Sequence, residues 1–322
     1  MQTKYLDELI KIMELSILLF NQILAMLIMV GFGFALVKSN AVKDDQDSAL
    51  SKIVLYISCP CCIINSFLIE FSNARLLALI IAFILSVCIH LLFIALTKHF
   101  NLLYPMEEIE RASLVYANAG NYIVPLVAAT LGAEYVFYVV PYFSVQNIFL
   151  WTHGKKLISH EKNRSLKKIL TTPCFIAIYI GLFLFLVPIQ LPNPVASAIN
   201  SASDSLGYIS MLVIGMTLAQ TKFKDIIGSI RVYIICLGRL IVYPLIVLGI
   251  LFVINQVFGQ PFLRDIFLAV FLPSAAPTAA AISQFAQIYK RTPELAGSII
   301  IVSVILSTIT LPLFMFVFQK II

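Results

Sequence analysis

The sequence predicts an all-α integral membrane protein of about ten transmembrane helices. Three observations carry that expectation. Of 322 residues, 61% are hydrophobic and only 12% are charged, whereas an ordinary soluble domain carries about a quarter charged residues. The mean hydropathy is +0.98. About ten apolar runs, each near the roughly 20 residues a helix needs to cross the hydrocarbon, follow one another with short connections. Almost nothing remains for a soluble domain.

In order, the runs cover 16–37, 51–69, 76–97, 112–131 and 134–152, then 172–189, 195–219, 231–254, 265–287 and 295–318. The first is expected to stay as a helix, being too long for a signal-peptide core, preceded by mixed charges and followed by no small-residue cleavage site. The second contains Cys59, Pro60, Cys61 and Cys62. That formal CxxC lies inside a lipid-spanning run and not at an accessible helix start, so Pro60 reads as a break or bend. Cys88, Cys174 and Cys236 read as small apolar packing residues. In the third run His90 reads as packed or hydrogen-bonded, not as a proton relay.

The fourth run holds NAGNYIVPL at its centre, with Asn118, Asn121 and Pro125 spaced to share a face. The ninth holds LPSAAPTAAAISQ, with Pro273, Ser274, Pro277 and Thr278 near its middle. Proline lacks an amide hydrogen and clashes with the preceding turn, so both helices should break there. Open backbone groups at membrane depth are tolerated only where buried in protein or lining a watery cavity. Two such breaks at matching places in two five-helix halves point to inverted repeats and to a binding site between them. A half-helix that starts at a break presents free amides, a natural seat for an anion. The repeats would be 1–152 and 171–322, joined by a basic cytoplasmic connection at 153–170.

Other polar residues could complete the pocket. Ser144 and Asn147 share a face of the fifth helix, as Ser303 and Ser307 do in the tenth; the serines equally suit bonds to their own backbone or to neighbouring helices. Arg239 is the one strong charge well inside a predicted helix. Three readings stay open for it: attracting an anionic substrate, snorkelling to the basic loop, or bonding carbonyls exposed at a break. Glu134 and Asp204 are expected near helix ends, which leaves no carboxylate inside the ten cores. The expectation is therefore transport without an obligatory carboxylate relay, by facilitated export or by exchange.

Orientation follows from lysine and arginine. The odd-numbered connections hold Lys38, Lys43, Lys52, Lys98, Arg111, Lys155, Lys156, Lys162, Arg164, Lys167, Lys168, Lys222, Lys224, Arg231, Lys290 and Arg291, against Lys4, Lys11, Arg75, Arg264 and Lys320 on the other side. Both termini should face outward. The net charge of +6 is then explained by lipid headgroups, with no nucleic-acid partner. The histidines His90, His99, His153 and His160 form no HExxH or comparable pair, so no enzyme, metal site or cofactor is expected.

The stretches NAGNYIVPL, LGAEYVFY, FSVQNIFLWTHG and AAPTAAAISQFAQIYKRTPELAGSIIIVSVILSTITLPL, with LSKIVLYISCPCCIINSF, LVIGMTLA and RLIVYPLI, resemble the auxin efflux carrier family across nearly the whole chain. That family includes plant PIN-type auxin exporters and bacterial malate permeases. The resemblance implies ten helices in two inverted repeats with two crossed broken helices, a bile-acid-transporter-like fold, and organic anion transport. It also implies an elevator-like movement of helices 3 to 5 and 8 to 10 against a dimerising scaffold, hence a homodimer. Ile123 stands where the family commonly has a second glycine, and the long central loop of plant members is missing, so the compact chain is similar to prokaryotic, plasma-membrane members. The expected partners are a small organic anion such as malate and the lipid bilayer. A channel-like facilitator, or a sensor that keeps the transporter fold, are the alternative readings.

Overall fold

The computed structural model describes residues 2–42, 47–160, 166–187, 189–219 and 229–322. Lys43, Lys162, Arg164, Lys222 and Lys224 of the orientation argument, and part of the 153–170 connection, lie outside the described residues. Among those described the chain is helical, without strands. In chain order the elements are α1 (Gln2–Lys38), α2 (47–67), α3 (Asn73–Leu103), α4a (Glu108–Val115), α4b (Ala119–Thr130) and α5 (133–159). A short helix at Leu166–Leu170 leads to α6 (Pro173–Leu186), α7 (Asn193–Ala219), α8 (Ile230–Phe258), α9a (Pro261–Ser274), α9b (Ala281–Ile288) and α10 (Pro293–Ile321). Six of these, α1, α2, α3, α7, α8 and α10, contain stretches long and apolar enough to cross a membrane.

The first helix begins far earlier than the apolar run at 16–37, because the charged residues before it continue the helix instead of ending it. At the far end of α8, Gly259 takes the left-handed conformation that closes a helix, and Pro261 opens α9a at once. Large apolar side chains such as Ile80, Ile84 and Leu91 on α3 and Leu245 and Val253 on α8 are exposed, as lipid-facing positions should be.

Three of the prolines follow widened turns. The backbone forms π turns at Val54–Ser58, Ala119–Ile123 and Gly238–Val242, and each is followed two residues later by a proline: Pro60, Pro125 and Pro244. The amides of Cys59, Val124 and Tyr243 reach back five residues to the carbonyls of Val54, Ala119 and Gly238. A regular helix would drive each proline ring into the carbonyl four residues before it; the wider turn relieves that clash. Pro60 therefore widens α2 and does not break it.

Helices α1, α2, α6 and α7 pack on one another, and α3, α5 and α9a form a second group flanked by α8 and α10. Within the first group α1 and α7 approach backbone to backbone. A Cβ on Gly33 would meet the Leu212 carbonyl oxygen at 2.2 Å, and one on Gly215 would meet that of Val30 at 2.0 Å. On its other side α7 bonds α2, through the Ser58 and Ser205 hydroxyls at 2.7 Å and through Asn65 Nδ2 donating to Asn200 Oδ1 at 3.2 Å. Small residues and interhelical hydrogen bonds replace the hydrophobic effect as the glue between helices in lipid. Cys59 of α2 and Cys174 of α6 lie with their sulfurs 3.5 Å apart as free thiols in the same packing. Cys236 is likewise buried, whereas Cys88 is exposed and so is not a packing residue.

Gly33→Ala should therefore lower stability by about 1–3 kcal/mol, as overpacking does. Gly31→Ala, two residues away with nothing within 4 Å of its added methyl, should leave the protein unchanged. Thermal melting of the two variants in detergent checks the difference.

Candidate functional site

The two broken segments meet at their breaks. Residues Ala117 and Thr278 face each other as an antiparallel bridge. The Asn118 amide donates to the Pro277 carbonyl at 2.7 Å, and the Ala279 amide donates to the Tyr116 carbonyl at 3.0 Å. Each break thus satisfies part of what the other leaves open.

Side chains from three other helices supply the remainder. Gln146 of α5 clamps the Ala117 residue with both ends of its amide: Oε1 accepts from the Ala117 amide at 3.1 Å, and Nε2 donates to the Ala117 carbonyl at 2.7 Å. Ser303 of α10 accepts from the Thr278 amide at 3.2 Å and donates to the Ile300 carbonyl of its own helix. The Thr278 hydroxyl donates to the Ser113 carbonyl at 3.2 Å. Ser307 donates to Val304 of its own helix and pairs with the Tyr122 hydroxyl of α4b at 3.0 Å.

Arg239 of α8 joins both breaks. Its Nε donates to the Ala276 carbonyl at 3.0 Å, one terminal nitrogen to Leu114 at 3.2 Å and the other to Pro273 at 3.4 Å. It is fully buried, with the Phe93 ring 5.5 Å from its guanidinium carbon. Of the three sequence readings, this is the bonding of exposed carbonyls. A side chain with no exposure and three carbonyl partners does not guide anions from solution in this conformation. Eight residues earlier, about 12 Å along the helix, Arg231 holds the buried Glu110 of α4a with two bonds of 2.7 and 2.6 Å. The same face of α8 therefore grips α4a twice.

The predicted site residues divide. Asn118, Pro277 and Thr278 sit at the crossing, and Asn118 is 4% exposed with no partner for its Nδ2. Asn121 is half-buried on the π turn that opens α4b. Pro125 is not at the break, which falls at 116–118; the proline lies inside α4b, because the π turn before it accommodates the ring. Ser274 is turned back on its own helix, donating to the Phe271 carbonyl at 2.6 Å. Asn147 likewise donates to Phe143 at 2.9 Å, and Ser144 to Val140 at 2.6 Å, so it is their neighbour Gln146 that bonds the backbone of the break from α5, while the Tyr116 hydroxyl reaches the Phe149 carbonyl and His153. The signal for Gln146 in the sequence was a side chain carrying a donor and an acceptor at the separation of a peptide's own two groups, beside Asn147 in a largely apolar stretch. His90 is fully buried and its Nδ1 lies 2.7 Å from the Ser86 carbonyl, with its ring stacked on Phe149.

A cavity of about 350 Å³ opens between α4b and the helices α1, α2 and α7, lined among others by Gln22, Cys62, Pro125, Asp204 and Tyr208. Here the expectation for carboxylates needs correction. Asp204 is not near a helix end: it is the twelfth residue of α7, which runs 27 residues from Asn193 to Ala219, about 16 Å from its start. The small hydroxyl residues before it are helical, as the run at 195–219 predicts. Among the described residues no group of three or more His, Cys, Asp or Glu could hold a metal ion.

Arg239→Met would take the Arg239 donor from the buried carbonyls of Leu114 and Ala276 and leave that of Pro273 with only the Ala276 amide, and should cost at least about 2 kcal/mol. Arg239→Lys, with one nitrogen for two breaks, should recover only part of that. Melting in detergent measures both, and an unaltered melting temperature in Arg239→Met would remove the capping role.

A chain whose two discontinuous helices are bonded peptide to peptide, inside a shell of apolar lipid-facing helices, has the build of a transporter. No curated protein matches the chain. The sequence model of one family, described as membrane transport protein, matches residues 18–168 and again 162–315, both breaks included. On that coverage the chain belongs to the membrane transport protein family, the family of the auxin efflux carriers.

Proposed function

We propose that the protein is a secondary transporter that moves small organic anions, mono- or dicarboxylates such as malate, across the cell membrane by alternating access. The observation that carries this reading is the polarity of the crossing. Four helix ends meet there. The C-terminal ends of α4a and α9a together present about one negative charge, and Arg239 sets one positive charge against them. The starts of α4b and α9b are then the uncompensated ends, each worth about half a positive charge. Asn118 adds a buried amide nitrogen without a partner. A carboxylate suits such donors.

The antiparallel pairing of Ala117 with Thr278 supports reading 1–152 and 171–322 as inverted five-helix repeats around this crossing, with 153–170 as the cytoplasmic link. The packing groups support an elevator: α1, α2, α6 and α7 as a dimerising scaffold, and α3 to α5 with α8 to α10 as the moving unit. The lysine and arginine distribution supports both termini outside, and the short connection at 153–170 in place of a long central loop supports a prokaryotic, plasma-membrane member. No cofactor and no catalytic step belong to this reading.

Counterflow in proteoliposomes tests it, with unlabelled carboxylates inside and labelled malate outside. Wild-type protein should accumulate label with some loaded acids and not others. Asn118→Ala should reduce the initial rate about tenfold, the worth of one hydrogen bond to a charged group at roughly 1.4 kcal/mol. Failure to accumulate label with any of the loaded acids, from folded protein, would favour a non-carboxylate substrate or a channel or sensor role instead.

A further inference from the structure

We propose that His90 and Tyr142 are positioning residues for the crossing, joined in a hydrogen-bond chain that runs from Arg239 through Tyr142 and His90 to the Ser86 carbonyl. The proposal rests on the capping role of Arg239, and only its transport readout rests on the reading above.

An arginine carries five N–H groups, and Arg239 places three of them, on Ala276, Leu114 and Pro273. Because the side chain is fully buried, the hydrogens left over need acceptors as much as those already placed. Tyr142 of α5 stands beside the guanidinium. Its hydroxyl is buried without a hydrogen-bond partner, and so is Nε2 of His90 on α3; both residues are fully buried. The two rings lie against each other, their centres 4.7 Å apart. Two unpaired polar atoms therefore sit on neighbouring rings, next to a side chain with hydrogens to spare.

His90 shows which way the chain runs. Its Nδ1 lies 2.7 Å from the Ser86 carbonyl, and a carbonyl only accepts, so Nδ1 carries the hydrogen. In the neutral ring Nε2 is then a lone pair that needs a donor. A tyrosine hydroxyl gives one hydrogen and takes another. Tyr142 can accept from Arg239 and donate to His90, which leaves neither ring with an unused polar atom. Gln146 also borders the imidazole, and its second amide hydrogen is the competing donor. If it donated instead, the Tyr142 hydrogen would stay buried and unpaired. The rest of the surroundings is apolar: Phe149 stacks on His90 at 5.7 Å, and Phe93, one turn along α3, lies 5.5 Å from the Arg239 guanidinium carbon. The chain fixes the rotation of the guanidinium plane, on which its aim at carbonyls of two segments depends.

Variants of the full-length protein test this by melting in detergent and by counterflow of labelled malate. Tyr142→Phe removes only the hydroxyl. It should lower the melting temperature by about 2–4 °C and slow counterflow by about two- to tenfold, whereas losing an unpaired hydroxyl would cost nothing. Glutamine and methionine are close in size, but only glutamine offers an oxygen near the position of Nε2. His90→Gln should therefore melt above His90→Met and keep the counterflow rate that His90→Met loses. In the Tyr142→Phe background that advantage should vanish, because no hydroxyl is left to donate. Tyr142→Phe melting at or above wild type overturns the proposal. So does His90→Met matching His90→Gln while Tyr142 is present, and unchanged counterflow in Tyr142→Phe overturns the positioning role. If the His90 variants do not fold, Tyr142→Phe decides alone. If wild-type protein shows no counterflow with any acid, the transport reading fails, and the melting comparisons still decide whether the chain exists.

Discussion

Peptide groups that leave a helix at membrane depth have no water to turn to, and the arrangement of this protein follows from finding them partners. Carbonyls at Ser113, Leu114, Tyr116 and Ala117 in one segment, and at Pro273, Ala276 and Pro277 in the other, are all matched to donors. The amides of Ala117, Asn118, Thr278 and Ala279 are matched to acceptors. Three of these bonds run between the two segments: Asn118 to Pro277, Ala279 to Tyr116 and the Thr278 hydroxyl to Ser113. The others require Gln146 on α5, Arg239 on α8 and Ser303 on α10 to converge on one point, which fixes those three helices around it. Arg239 carries a further duty, because two helix ends of like polarity would otherwise face each other in a medium of low dielectric. Its charge lets them approach.

Much of this was legible in the residues. The apolar runs announce a membrane protein, and the prolines and small residues in NAGNYIVPL and LPSAAPTAAA announce the two breaks, because backbone chemistry is local. What was not legible is which side chain meets which group. Asn118, Asn121 and Pro125 share a face on a regular helix, but a π turn intervenes at Ala119–Ile123 and displaces everything after it. Ser274 and Asn147 were attractive as polar residues in apolar surroundings, yet a serine or asparagine can satisfy itself on the preceding turn of its own helix, and both do. Gln146 was passed over beside Asn147 because its role depends on the distance between two helices, which no single segment encodes.

Asp204 was misplaced for a related reason. The stretch SAINSASDSLG opens the seventh predicted run, and in lipid its small hydroxyl side chains bond within and between helices. Ser205 does so with Ala202 and Ser58. The smallness of these residues lets α7 press against α1 and α2, and Asp204 faces the gap beside α4b.

The joint between α4 and α9 has one more consequence, for how such a protein can change. Its central bonds run from main chain to main chain, and main-chain groups are the same whatever residue carries them. Side chains at Asn118, Asn121 or Thr278 can be exchanged while the bonds of Asn118 with Pro277 and of Ala279 with Tyr116 persist. Architecture is therefore carried by the main chain of these residues, apart from the side chains they display. A lineage can change the groups displayed at the crossing without first dismantling it.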